Sequence, residues 1–293
     1  RSAVPNGRPQ GLAHFAVGLG RIASCMLVRP YSDGACGLIY AAGGQWLDGV
    51  VLLLDLPEGV TIHDRTTKYE CFLVTGPKAR DMLAPLTDAD LTLPWLSYQQ
   101  AEVCGAPCVL LRVSFAGELG WEVHCLTNDA PAIYDAILVA GAKPFGMYAL
   151  NALRIEKGYR AWKGDLSTDY TLLQGGLDRF VKLDKPQDFP GKAALLSEKQ
   201  QGVTKRFVTL VVDAGDHDAP YMSTLWHDGK VVGETTSGDW GYRVGASIAL
   251  GMLRADLAVP GTELEVDIYG EMRKAVVQKD EPLWDPQNER LRA

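Results

Sequence analysis

Several common signatures are missing from this chain. None of its six cysteines, at 25, 36, 71, 104, 108 and 125, stand in CxxC spacing, and the five histidines do not join them in a zinc-like pattern. That argues against a zinc-ribbon frame and leaves reduced, structural thiols with no metal as the expectation. A signal peptide and a run of about 18 apolar residues are also missing, so neither secretion nor membrane insertion is expected. The expected location is the cytoplasm, or the mitochondrial matrix if the source is a eukaryote. Positive charge is in the minority: 29 Lys and Arg against 36 Asp and Glu leave a net charge of −7. With no nucleic-acid motif present, a polyanionic partner is not expected. Position 1 is Arg rather than Met, which suggests that an amino-terminal portion is missing.

What is present suits a globular protein. The 293 residues are 47% hydrophobic and 22% charged, enough for a sizeable core in two domains or one large one. Residues 1–10 are polar and aperiodic. Strand-like runs follow at 23–28 and 38–42, and 50–54 reads as a strand or a buried helical turn. Pro77 opens a helix with Ala79, Met82, Leu83 and Leu86 at helical spacing, and residues 109–113 read as a strand. Asp129 is placed to cap a helix to 138 that stops at Gly141, and a second helix spans 145–157 and ends at Gly158. Helices mixed with non-consecutive strands indicate an α+β fold. Beyond Gly202 the texture changes to short strands at 207–212, 225–226, 231–232, 248–253, 264–268 and 274–277. His227-Asp-Gly-Lys230 and Tyr269-Gly-Glu271 read as hairpin turns. This spacing predicts a small β-barrel or sandwich, and the expected domains are 1–202 and 203–293.

Four segments carry candidate chemistry. Gly18-Leu-Gly20-Arg-Ile-Ala23 fits the dinucleotide fingerprint, but strand-like residues follow where a helix is needed, so it reads as a turn. The chain is therefore not expected to bind flavin or NAD by itself. Between Arg112 and His124, Glu118 and Glu122 stand among glycines and aromatics. Either carboxylate suits the adjacent ring N–H and amino donors of a pterin, with Phe115 and Trp121 as stacking walls. A surface hairpin with solvated acids is the alternative. Arg154 offers a planar fork to an anionic or carbonyl-bearing ligand, or belongs to an ordinary solvated helix face. Asp165 and Asp169 carry the same two readings, acidic groups beside the aromatics at this helix end or plain turn residues. The Gly-rich stretch 235–243, which contains Trp240, reads as a loop that either reaches a ligand or only joins strands. Cys25 has no nearby histidine in sequence and reads as a buried thiol rather than a nucleophile.

Gly117-Glu-Leu-Gly-Trp-Glu122, the run from Phe145 to Tyr159, Lys163-Gly-Asp165, Leu177 to Asp184, Phe189-Pro-Gly-Lys192 and Thr236-Ser-Gly238 together resemble the glycine-cleavage T-protein (aminomethyltransferase) family, in the family's order. Met147-Tyr-Ala-Leu-Asn151, Lys157-Gly-Tyr159 and Trp162-Lys-Gly-Asp165 resemble the branch fused behind flavin-dependent dimethylglycine and sarcosine dehydrogenases. The resemblance implies an aminomethyltransferase-type folate-binding domain followed by a small C-terminal β-barrel, with tetrahydrofolate in a central channel and 5,10-methylenetetrahydrofolate as product. It implies that Glu118 and Glu122 help hold the pterin and that Arg154 lies in the folate site; Phe115, Trp121 and Trp240 complete the candidate set. FAD is expected only on a missing domain or partner. A small methylated amine, a flavin domain or a lipoyl carrier are the expected partners.

One departure stands out. The family places an acidic residue shortly after the Gly-Arg-Ile turn, and Ser24 and Cys25 stand there instead, so the catalytic residue is left unassigned. A neutral serine or thiol is poorly suited to stabilising a cationic iminium. A free aminomethyltransferase, a folate-dependent demethylase and a non-catalytic folate-binding or assembly protein remain the alternatives. Lys157-Gly-Tyr159 lacks the cysteine of the related iron–sulfur-maturation group, which argues against that assignment.

Overall fold

The computed structural model describes residues 59, 61, 63–189 and 191–293, together with the backbones of three earlier strands. Those strands, β1 (Leu12–Ala16), β2 (Ile22–Pro30) and β3 (Cys36–Tyr40), pair antiparallel in the order β1-β2-β3. Strand β1 was not expected from the sequence. The glycine turn at 18–20 and the run at 50–54 lie outside the described residues. Ser24 and Cys25 fall within β2, where their Cα partners are Phe15 and His14.

A second antiparallel sheet follows from β4 (Tyr69–Thr75), β5 (Tyr98–Val103), β6 (Ala106–Leu111) and β7 (Gly120–Leu126), in the order β4-β7-β6-β5. The strand expected at 109–113 is β6, which starts and stops earlier. Its hairpin with β5 turns on Cys104 and Gly105, both at positive φ, the backbone that a two-residue turn between twisted strands demands. In β7 the period of two is plain: Trp121, Val123 and Cys125 are buried on one face, while Glu122 and His124 occupy the other.

Helix α1 (Ala79–Leu83) continues as a 3-10 turn over Ala84–Leu86, and α2 is Ala130–Val139. Ala79, Leu83, Ala130, Ile133 and Ile137 pack on Val74, Cys108, Leu110, Trp121, Val123 and Cys125 as a single core. Each fully buried aliphatic side chain of this kind contributes about 1.5–3 kcal/mol. The side chain of Asp129 makes no cap bond to α2, contrary to the sequence reading, and the helix begins instead with a proline in its first turn.

Helix α3 (Met147–Glu156) joins this part to the rest. Its Ile155 is fully buried with Phe207, Ile248, Leu250 and Met252. Gly158 (φ +64) ends it: the Gly158 amide donates to Ile155 O at 2.8 Å and that of Tyr159 to Arg154 O at 2.9 Å, a Schellman closure that reverses the chain. Helix α4 (Lys192–Gln201), not read from the sequence, precedes the barrel.

Strands β8 (Lys205–Val212), β9 (Thr224–His227), β10 (Lys230–Gly241), β11 (Ala246–Arg254), β12 (Glu263–Ile268) and β13 (Glu271–Val277) close a barrel in the order β10-β11-β8-β13-β12-β9. Closure leaves no edge to cap. Both expected hairpin turns form, with Asp228-Gly229 and Tyr269-Gly270 at positive φ. The stretch 235–243 is not the loop that its glycines suggested. It runs as strand to Gly241, paired with β11 from Gly233 opposite Leu253 to Gly241 opposite Ala246. No helix among the described residues is long and apolar enough to cross a membrane.

Candidate functional site

Helix α3 places a row of polar side chains where the barrel meets the preceding part. Arg154, 4% exposed, donates five hydrogen bonds: Nη1 to Asp165 Oδ2 (2.5 Å) and Tyr159 O (3.0 Å), Nη2 to Ser237 Oγ (2.6 Å) and Asn151 Oδ1 (2.7 Å), and Nε to Asn151 Oδ1 (3.0 Å). A guanidinium has five N–H groups, so all are spent. Asp165, fully buried, also accepts from the Ala161 amide (2.8 Å), Thr236 Oγ1 (2.5 Å) and Ser237 Oγ (2.8 Å). Two successive residues of one strand reach the same carboxylate because β10 carries a bulge between Thr235 and Ser237, which re-aims the inserted Thr236. Asn151 Nδ2 then donates to Asp239 Oδ2 at 2.9 Å.

A second network lies one turn along. Arg243 pairs through Nε with the fully buried Glu156, reaches Glu118 Oε1 through Nη1 at 2.9 Å, and donates from Nη2 to Leu153 O (2.9 Å) and Ala116 O (3.1 Å). Its backbone amide donates to Glu156 Oε1 at 2.7 Å. Arg243 also lies 5.0 Å from the centre of the Trp284 ring. Lys157 Nζ donates to Asp285 O (2.8 Å) and Asn288 Oδ1 (2.9 Å), and burial holds its ammonium below the ordinary lysine range. Gly117 (φ +71) lets this loop close: a Cβ there would stand 2.1 Å from Lys157 Cγ.

The six expected site residues divide accordingly. Arg154 is not free for a ligand, because its donors are exhausted within the protein. Glu118 is the more enclosed of the two carboxylates, its Oε1 held by the charged Arg243 guanidinium and its side chain 12% exposed against 26% for Glu122. Trp121 cannot wall a cleft: it is 1% exposed in the core, with the guanidinium carbons of Arg112 and Arg80 at 5.3 and 5.7 Å from its ring centre. Strand alternation sends Trp121 inward and its neighbour Glu122 outward. Phe115 is 37% exposed and stacks on Tyr159 with centroids 5.9 Å apart and planes 15° apart. Burial pushes the Tyr159 phenol up to about 12. Trp240 is 41% exposed on β10, next to Asp239. Glu122 is half-buried and its Oε2 lies 3.1 Å from His124 Nε2.

The sequence placed His124, Glu156, Asp165 and Arg243 inside candidate segments but left all four out of the six-residue site set. It also expected no metal-type cluster, yet Cys71, Glu122 and His124 converge across β4 and β7. Arg243 lies 125 positions from Glu118 and Cys71 lies 53 from His124, separations over which local patterning carries no signal, although Glu122 and His124 are only two apart.

The profile of the GCVT N-terminal domain matches residues 12–185, and that of the glycine cleavage T-protein C-terminal barrel domain matches 205–285. The chain is 35% identical to human mitochondrial dimethylglycine dehydrogenase over 99% of its own length and 35% of that protein's. It thus spans about a third of that relative. Against an aminomethyltransferase of Listeria innocua it is 33% identical over 86% of this chain and 70% of the relative. A crystal structure of the glycine cleavage system aminomethyltransferase T from Bartonella henselae superposes with a TM-score of 0.82 at 20% identity, over 97% of this chain and 77% of that one, a likeness of fold.

Proposed function

From a chain that belongs to the glycine cleavage T-protein (aminomethyltransferase) family, we propose tetrahydrofolate-dependent one-carbon transfer, with the carbon drawn from oxidation of dimethylglycine or sarcosine. In this reading the tetrahydrofolate nitrogen supplies the nucleophile, and 5,10-methylenetetrahydrofolate is the product. The observation that carries the placement of the pterin is the difference between two carboxylates: Glu118 is tied to Arg243, while Glu122 is half-buried with His124 as its partner.

Glu122 accepts the paired donors of the pterin ring, and His124 fixes the orientation of its carboxylate. Phe115 and Trp240 offer exposed aromatic surface to the remaining parts of the ligand. Arg154, Asp165 and Arg243 act by holding helix α3 against β10, so that both reactants meet a preformed frame. Proximity of this kind, more than a protein nucleophile, is what the transfer needs. Ser24 and Cys25 are given no proton-transfer role. The domain division at 1–202 and 203–293 belongs to the same reading. So do a flavin domain outside this chain that carries FAD, and a location in the cytoplasm, or in the mitochondrial matrix if the source is a eukaryote, as for the relatives named mitochondrial.

A second reading, a free aminomethyltransferase served by a lipoyl carrier, draws on the larger share of the Listeria innocua relative that the chain spans. Calorimetric titration with reduced tetrahydrofolate tests the shared premise. Saturable binding is expected, weakened about tenfold or more by Glu122→Gln, since a hydrogen bond to a charged group is worth about 1.5–3 kcal/mol. A folded chain that binds no tetrahydrofolate sinks both readings. Methylene transfer from dimethylglycine in the presence of a flavin dehydrogenase, but not from a lipoyl-bound donor, separates the first from the second.

A further inference from the structure

Strands β4 and β7 run antiparallel with Cys71 opposite His124 and Leu73 opposite Glu122. Because side chains alternate with a period of two, Cys71, Glu122 and His124 all point to the sheet face away from the packed core of Val74, Trp121, Val123 and Cys125. Cys71 Sγ lies 3.7 Å from His124 Nε2, and that nitrogen lies 3.1 Å from Glu122 Oε2. All three ligand atoms fall within 4.8 Å of one another. The same imidazole nitrogen faces both the sulfur and the carboxylate, so the groups converge on a point instead of forming a relay.

We propose that Cys71, Glu122 and His124 form a site for a divalent cation of the zinc class, with a fourth position open to water or a ligand atom. Tetrahedral zinc with ligands at about 2.0–2.3 Å holds neighbouring ligand atoms about 3.3–3.8 Å apart. The sulfur–nitrogen separation already matches this range, and the nitrogen–oxygen separation needs to widen by only a few tenths of an ångström. The donor set of thiolate, imidazole and carboxylate suits zinc or cobalt(II) and not the oxygen-only preference of magnesium or calcium. Two strands within one sheet hold the ligands rigidly, as a preformed metal site requires.

Without a cation, the cluster is electrostatically unfavourable for a thiolate. Burial first, then the neighbouring Glu122 carboxylate, holds the Cys71 thiol well above its ordinary range, although the residue keeps an exposed side on this edge strand. A bound dication reverses both effects, releasing the thiol proton to solvent as the metal–sulfur bond forms. The site stands independently of the folate reading, yet the two share Glu122: metal and pterin compete for its carboxylate.

The test is cobalt(II) titration of the full 293-residue chain, followed by absorption, with zinc as displacing ion. One cobalt per chain is expected, with a thiolate-to-cobalt charge-transfer band and the strong visible bands of a four-coordinate ion. Cys71→Ser should abolish the charge-transfer band, His124→Asn should weaken binding at least about tenfold, and the control Cys104→Ser should change neither. Zinc should raise the thermal midpoint of the parent chain and leave that of Cys71→Ser unmoved. A folded parent chain without the charge-transfer band, or a Cys71→Ser variant that keeps it, overturns the proposal. Zinc should also weaken tetrahydrofolate binding; a charge-transfer band without that competition upholds the metal site and moves the pterin away from Glu122.

Discussion

The seam between helix α3 and the barrel, and the outer face of the β4–β7 sheet, use the same kinds of charged residue for opposite ends. At the seam every donor of Arg154 is met by the protein, and Asp165 accepts four hydrogen bonds in full burial. On the sheet face Glu122, His124 and Cys71 touch one another while keeping partial exposure. A buried ion pair is costly to form and still more costly to break, so the seam is fitted for holding shape. Groups with coordination to spare are fitted for ligands. In the proposed reading, saturation and not charge separates architecture from site.

The strongest way to break this comparison is Arg154→Ala, which strands Asp165 as an uncompensated buried carboxylate. The expected loss is about 3–5 kcal/mol in urea denaturation, with no recovery by Arg154→Lys, because an ammonium cannot reproduce the fork. A loss below about 1 kcal/mol would mean that the network is not structural.

Asp285→Asn probes the strap from Lys157 to the segment 285–291, and about 1–3 kcal/mol is expected at neutral pH. Burial alone would raise the Asp285 carboxyl, but the amides of Arg290 and Leu291, then Lys157, outweigh it and hold the group below its usual range. A depressed carboxyl contributes stability above its unfolded pKa of about 3.9 and loses it as pH falls through the folded value. The parent chain should therefore weaken more steeply than Asp285→Asn on acidification below about pH 4, as read by thermal midpoints.

Gly117→Ala should cost about 1–3 kcal/mol, from the positive φ and the contact with Lys157 together. An unchanged thermal midpoint would show that the loop can relax. Smallest in stability is Glu122→Gln, within about 1 kcal/mol for a partly exposed pair. Its weakened tetrahydrofolate binding would then stand out against an intact fold, the reverse of the Arg154→Ala pattern.

Much of the chain's plan was legible in its residues. Asp228-Gly229 and Tyr269-Gly270 announced hairpins, because few residues other than glycine and asparagine-like types accept positive φ. Gly158 marked the end of α3 for the same reason. Strand β7 was hidden: behind the glycines at 117 and 120 the segment read as pterin contacts or a surface hairpin with solvated acids, and its buried alternation of Trp121, Val123 and Cys125 was not recognised. Strand β10 was hidden by glycine and polar residues, since Thr236 and Ser237 are buried as partners of Asp165, not as apolar core.

The ordered motifs from Gly117 to Gly238 carried the resemblance to the family, while turn chemistry and periodicity, which act over a few residues, carried the α+β plan with its terminal barrel. Which partner each carboxylate meets, Arg243 for Glu118 and His124 for Glu122, was settled only by the tertiary structure. Arg243 meets Glu118 across 125 positions and Cys71 meets His124 across 53. A hydrogen-bond donor is spent or free only once the chain has closed around it, and no local pattern can count partners that arrive from another sheet.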